Sequence, residues 1–394
     1  MPRLWDKGGA LDQRVLEYTA GEDHALDDRL VRYDVAASIA HAGMLHSVGL
    51  LAADELQAIR DGLRELGEQH ARGEWRVTLA LEDGQTALET LLTQRIGAAG
   101  ARLHAGRSRN DQVLAALRLY LRDVVDELGD GADAAADALD ALAAVQGEIA
   151  LPGYTHMQPA MPSTVRLWAG GFASELRDDA LGLRQARRRV LKNPLGSAAG
   201  YGTPNLAIDR EHTRATLGFD EVHEPVTAVQ LSRGKAEAEI VLQIVLLMQD
   251  LGRLAADLLL FYTREFGFVA LPDAFTTGSS IMPQKRNPDV FELVRGRSAA
   301  VQACLVEVLG ITAKLPSGYQ RDLQLLKAPL FRAIDSARQT LGIMTAALPE
   351  LRFVPERIRM DADLQAAAEA NELVTREGIP FREAYRRIAE KYRR

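Results

Sequence analysis

Apolar residues recur three and four positions apart through most of the chain, the spacing that gathers them on one stripe of an α-helix. This spacing predicts helices over 34–50, 54–70, 84–97, 108–128, 133–150, 164–192, 228–265, 289–314, 322–347 and 361–393. End signals agree with several of these limits. Ser108 with Asp111 three residues later reads as a capping box, and Asn193-Pro194 stops the 164–192 segment. Pro288 suits the first turn of a new helix, where a missing N–H costs nothing. Period-two alternation is scarce: only GEWRVTLAL (73–81) reads as extended chain. No strand–helix alternation and no fixed-period repeat appears, which excludes a doubly wound sheet and a solenoid.

The expected fold class is therefore mainly α. Segments such as 164–192 and 228–265 are longer than an average globular helix and apolar over much of their surface. They need partners on several sides, which predicts an elongated long-helix bundle with helix packing between subunits. The expected organisation is an N-terminal helical domain over 1–107, a central long-helix bundle over 108–352 and a short C-terminal helical domain over 353–394.

Composition narrows the function classes. The 394 residues carry 47 Lys and Arg against 54 Asp and Glu, a net charge of −7, so a nucleic-acid partner is not expected. The basic run RQARRRVLK (184–192) spreads its charges around a predicted helix and reads as a solvated face. Cys304 is the single cysteine, sits in the apolar run AVQACLVEV, and reads as a buried small hydrophobe. It permits no intrachain disulfide and points to a reducing, cytoplasmic setting. The most apolar stretch, 240–262, carries Asp250, Arg253 and Asp257, which a lipid-facing span would not tolerate, so no membrane is expected either. The eight histidines show no ligand spacing, and GYG at 200–202 lacks a preceding strand and a third glycine. Neither a metal nor a dinucleotide cofactor is expected.

In a helical protein the chemistry falls to the irregular stretches. AGRSRND (105–111) places cations, Ser108 and Asn110 at a helix start, where free N–H groups favour an anion and the fork of Arg109 could grip a carboxylate. YTHMQ (154–158) holds Thr155 and His156 between Pro152 and Pro159, a restricted turn suited to an acid or base. GSSIMPQKRNP (278–288) sets Ser279 and Ser280 after a glycine, then Lys285 and Asn287, with Glu292 a turn into the next helix. An ammonium and backbone donors near a serine oxygen favour its ionised form and also a substrate carboxylate. GYQRDLQLLK (318–327) adds Tyr319, Gln324 and Lys327. Taken singly, each stretch also has a plain reading as a capped helix start, a structural histidine or a surface loop.

Together they resemble a family. GSSIMPQKRNP is similar to the signature loop of the fumarase/aspartase superfamily, and GRSRND with YTHMQ resembles the argininosuccinate lyase family within it. The resemblance runs in order from about residue 10 to the end of the chain. It implies a homotetramer of long-helix bundles with active sites shared between subunits, and a reversible anti elimination of fumarate without a cofactor. On this resemblance Ser279 would be the base, and His156, with Glu292 behind it, the donor to the leaving nitrogen. Lys285 and Asn287 would hold the succinyl carboxylates. Ser108, Arg109, Asn110, Thr155, Tyr319, Gln324 and Lys327 would contact substrate, and Asp27 would face its arginine end.

The chain also departs from the common pattern. Asp23 stands where serine is usual, EDGQ replaces E-D-x-H so that Gln85 stands for histidine, and QPAMP replaces Q-R-A-Q-P. The 193–202 loop reads SAAGYG rather than the commoner run of small residues. These changes gather near the amino-acid end of the substrate. Two alternatives follow from them: another fumarate-releasing lyase of the adenylosuccinate, fumarase or aspartase type, or a catalytically silent relative of the lens-crystallin kind.

Overall fold

The computed structural model describes residues 12–393. In order the helices are α1 (Gln13–Ala20), α2 (Asp23–Asp27), α3 (Val31–Ser47), α4 (Ala53–Ala71), α5 (Gly84–Ile96), α6 (Ala98–Ala101), α7 (Arg109–Gln146), α8 (Val165–Ala186), α9 (Arg210–Leu217) and α10 (Val226–Leu231), continuing with α11 (Lys235–Tyr262), α12 (Asp289–Thr312), α13 (Lys327–Ala347), α14 (Ala366–Glu377) and α15 (Phe381–Lys391). Among the described residues, strands form only three two-stranded pairs. An antiparallel hairpin joins β1 (Ala150–Thr155) to β2 (Gln158–Thr164); β3 (Lys192–Asn193) runs parallel to β4 (Glu221–Val222); β5 (Val269–Ala270) is antiparallel to β6 (Arg352–Phe353). The mainly α expectation holds.

The chain forms two compact units. The first comprises the described part of Met1–Glu127 with Gly182–Ile244 and Val301–Asp335. One apolar cluster packs Val35, Ala42 and Leu45 of α3 against Ile59, Leu63 and Leu66 of α4 and Leu88 and Leu92 of α5. Gly62 lets α4 and α5 approach closely: a Cβ there would stand 2.8 Å from Leu92 Cδ1. The predicted 228–265 helix is broken in this unit after Leu231, because Gly234 takes φ +80° and a Cβ on it would collide with Thr312. The 73–81 stretch, expected to be extended, ends in a single 3₁₀ turn over Leu79–Leu81 and pairs with no strand.

The second unit comprises Leu128–Leu181, Val245–Ala300 and the described part of Ser336–Arg394. Gly131 sits in the middle of α7, where two helices were expected. A Cβ on it would stand 3.0 Å from Leu341 Cδ1, so the glycine permits close packing on α13 and the helix continues through it. Trp168, Phe261, Phe268 and Phe353 pack in edge-on and tilted pairs with centroids 5.5–6.5 Å apart, and the indole N–H of Trp168 donates to Asp257 at 3.0 Å. That bond accounts for an acidic residue inside the apolar α11. No helix among the described residues is long and apolar enough to cross a membrane.

Candidate active site

In the first unit, the polar loops meet around a cavity of about 380 Å³. Ser108, Arg109 and Asn110 from the start of α7 face Tyr319, Gln324 and Lys327 across it. The start of α7 is built by Asp111. Its buried carboxylate accepts the N–H of Ser108 at 2.9 Å, Gly196 at 3.0 Å and Ala198 at 2.9 Å, tying the 193–200 loop to the helix end. Burial pushes its pKa up to about 6 against the pull of those three donors. The capping box is half as expected: Asp111 reaches back to Ser108 N, but Ser108 Oγ accepts from Asn110 N at 3.3 Å rather than from Asp111.

The floor of this cavity is ionic. Lys327 Nζ lies 2.8 Å from Asp23 Oδ1 and also pairs with Asp27. Burial opposes its charge, yet Asp27 and Asp23 outweigh that penalty and raise its pKa. Asp27 is 1% exposed, also accepts Gly84 N at 3.1 Å, and stands behind the wall; Asp23, one turn earlier, lines it. Of the two aspartates, Asp27, expected to face the arginine end of a substrate, is the more buried, and Asp23 is the one that lines the cavity. Burial pushes Asp23 up to about 6, with Lys327 pulling the other way. Arg109, expected to grip a substrate carboxylate, pairs here with Asp83 and lies 3.5 Å from Glu82. Gln324 donates to the carbonyls of Thr19 at 3.0 Å and Ala20 at 3.2 Å. Gln85 also lines the cavity, and its Nε2 donates to buried Asp34 at 3.1 Å.

Two further cavity residues were not singled out in the sequence, although Arg107 lies within AGRSRND. Arg107 is buried, donates to Ser38 Oγ at 2.8 Å, and keeps Nε without a partner. Arg233, at the α10–α11 break, donates to Leu323 O at 3.2 Å and leaves Nε and Nη1 unbonded, with Glu237 3.5 Å away. Their signal was weak: an arginine beside glycine looks like any surface loop until the fold buries it.

The other expected residues belong to the second unit. The 278–288 loop is pinched at its base, where Thr277 and Asn287 exchange backbone hydrogen bonds of 3.0 and 2.8 Å. Asn287 Nδ2 donates to Gly278 O at 3.2 Å, and Lys285 N to Met282 O at 3.0 Å. Ser279 Oγ accepts from Met282 N at 3.2 Å, with Ile281 N at 3.4 Å. Lys285 and Glu292 are exposed, and Ile281 is 82% exposed. Thr155 and His156 lie at the exposed tip of the β1–β2 hairpin. Thr155 pairs with Gln158, leaving His156 and Met157 as a two-residue turn at φ +51° and +60°. Left-handed backbone costs about 1–2 kcal/mol at each non-glycine residue, and such turns ordinarily take Asn-Gly. Strain of this kind gathers where a side chain must be presented. Among the described residues no hydrogen bond links His156 to Glu292.

The chain is similar to known lyases in sequence and in fold. A family described as "Lyase" matches residues 11–303. The argininosuccinate lyase of Sorangium cellulosum is 48% identical over 389 residues, covering 98% of this chain and 90% of that relative. That of Parabacteroides distasonis is 40% identical, covering 98% and 86%. Among solved structures, EDDS lyase in complex with formate superposes with a TM-score of 0.82 at 28% identity, covering 97% of this chain and 76% of that one. A class II fumarase from Schistosoma mansoni gives 0.81 at 17% identity, a likeness of fold alone, covering 98% and 89%.

Proposed function

This chain belongs to the argininosuccinate lyase family, and from that premise we propose that it splits argininosuccinate reversibly into arginine and fumarate. The observation that carries the reading is the cavity wall: Ser108, Arg109 and Asn110 stand opposite Tyr319, Gln324 and Lys327, two distant segments gathered on one small-molecule pocket.

In the proposed reaction Ser279, as alkoxide, takes the proton from the succinyl carbon next to the one bearing nitrogen. That C–H electron pair becomes the C=C bond of fumarate, the C–N bond breaks, and His156 returns a proton to the departing nitrogen. Negative charge builds on the neighbouring carboxylate. Fixed donors such as Lys285 and Asn287 then stabilise the transition state by about 3–4 kcal/mol per well-placed group. Two features support Ser279: N–H groups already aimed at its oxygen, and the ammonium six residues on in the same closed loop.

We also propose that the chain works as a homotetramer in which loops of neighbouring copies complete each site. Apolar side chains project to solvent from the long helices: Leu167 on α8 is 68% exposed and Val306 on α12 is 71% exposed. Gly170, Gly171, Gly296 and Gly310 open onto free space, where another helix could approach closely. The setting we propose is cytoplasmic.

Mass identification of arginine and fumarate after incubation with argininosuccinate tests the function, with adenylosuccinate, malate and aspartate offered in parallel. Fumarate from one of those three and none from argininosuccinate would replace the reading with that lyase. No product from any of the four would leave a silent relative.

A further inference from the structure

Asp27 alone suffices to neutralise Lys327, and it is the more deeply buried partner. Asp23 is the surplus. Counting the floor at neutral pH, two carboxylates face one ammonium, a net charge of −1. The adjoining wall is balanced, with Asp83 and Glu82 against Arg109 and Arg321. On the far side Arg107 stands near Asp34, Asp111 and Glu89, of which the first two are buried, none lines the cavity and Glu89 also pairs with His104; Arg233 stands near Glu237. Of the two carboxylates that line the cavity, Asp83 pairs with Arg109, whereas Asp23 shares Lys327 with Asp27, so the surplus anionic charge falls at Asp23, which is 9% exposed. A carboxylate so placed has lost much of its hydration and gains most from a cation brought to it.

We propose that Asp23 is a specificity-determining residue that receives an ammonium at the far end of the leaving amine. The serine usual at this position carries no charge and could not make that distinction. Lys327, held between two aspartates, is correspondingly poor at attracting a ligand carboxylate, so recognition of the amine end shifts from its carboxylate to its ammonium. This deepens the lyase reading above and rests on it for the identity of the amine.

The test is calorimetric titration of the full chain with three probes: arginine; agmatine, which keeps the ammonium and lacks the carboxylate; and δ-guanidinovalerate, which keeps the carboxylate and lacks the ammonium. The wild type is expected to bind arginine at least about tenfold more tightly than δ-guanidinovalerate, and agmatine no more weakly than arginine. Asp23→Asn keeps the shape and leaves Asp27 to pair Lys327; it should bring arginine and δ-guanidinovalerate within about threefold of each other. Asp23→Ser serves as the second variant should the first not fold, with circular dichroism as the check. An arginine to δ-guanidinovalerate ratio that Asp23→Asn or Asp23→Ser leaves unchanged overturns the inference, and so does failure of all three probes to bind the wild type. Fumarate release from argininosuccinate, followed on the same samples, separates the two claims. Ammonium discrimination without turnover counts against the lyase reading alone; turnover without discrimination counts against Asp23 alone.

Discussion

The cavity of the first unit and the 278–288 loop of the second are both polar, but they hold their polar groups in opposite ways. Around the cavity, charges are buried and answered by other side chains: Lys327 by Asp23 and Asp27, Arg109 by Asp83. In the loop, backbone closes on backbone through Thr277 and Asn287, and Lys285 and Ser280 are left at the surface. Buried ion pairs are rigid and costly to disturb, because removing one partner strands the other in a poor solvent. A loop closed by its own main chain can change side chains with little effect on folding. The first arrangement suits recognition of a fixed shape; the second suits groups that must meet a reacting atom.

Four substitutions break or sharpen that contrast. The largest effect is expected from Ser279→Ala: kcat for fumarate release falls at least about a thousandfold, roughly 4 kcal/mol of transition-state stabilisation, while the melting temperature hardly moves. A large loss of stability would mean that the loop is structural after all. Next, Lys327→Met strands two buried aspartates and should cost about 3–5 kcal/mol in urea unfolding. A variant as stable as the wild type would show that the floor is not held by this pair. Third, His156→Asn and Glu292→Gln should give strongly non-additive losses in turnover, the double variant little worse than the poorer single one. Additive losses would separate the two residues. Subunit exchange between an inactive Ser279 variant and an inactive His156 variant should restore partial activity if neighbouring copies complete the site.

The smallest effect concerns a half-buried carboxyl outside both regions. Burial, followed by Asp250, Glu175 and Asp178, pushes Asp179 up to about 7, and its Oδ2 has no partner. Its folded-state pKa lies above the unfolded value, so its ionisation weakens the fold as pH rises from about 4 through 7. Asp179→Asn should therefore stabilise the protein at pH 8 by on the order of 1 kcal/mol, discounted for partial exposure. That gain should vanish at pH 4. An equal gain at both pH values would attribute it to packing rather than to charge.

Much of the helical layout was legible because its cause is local. Periodicity and end signals place α4, α5 and α12 within a residue or two of their observed limits. The failures have particular causes. The hairpin over 150–164 carries Pro152, Pro159 and Pro162, which hide strand character, and its register is fixed by the partner strand. The glycines near 130 suggested a break because their helix cost is visible, whereas the Leu341 side chain that favours a glycine there is not. Of the candidate site, the loop residues could be named from the sequence, but it singled out Asp27 where the structure sets Asp23 against the cavity, and the signal for Arg233 was weak.

The sequence by itself determined where helices form and which irregular stretches carry reactive groups, since spacing along a chain is enough to decide both. Only the tertiary structure decided which charges meet. Lys327 and the aspartates of α2 lie at opposite ends of the chain, and an ion pair's strength depends on distance and surrounding water, neither of which is written in residue order.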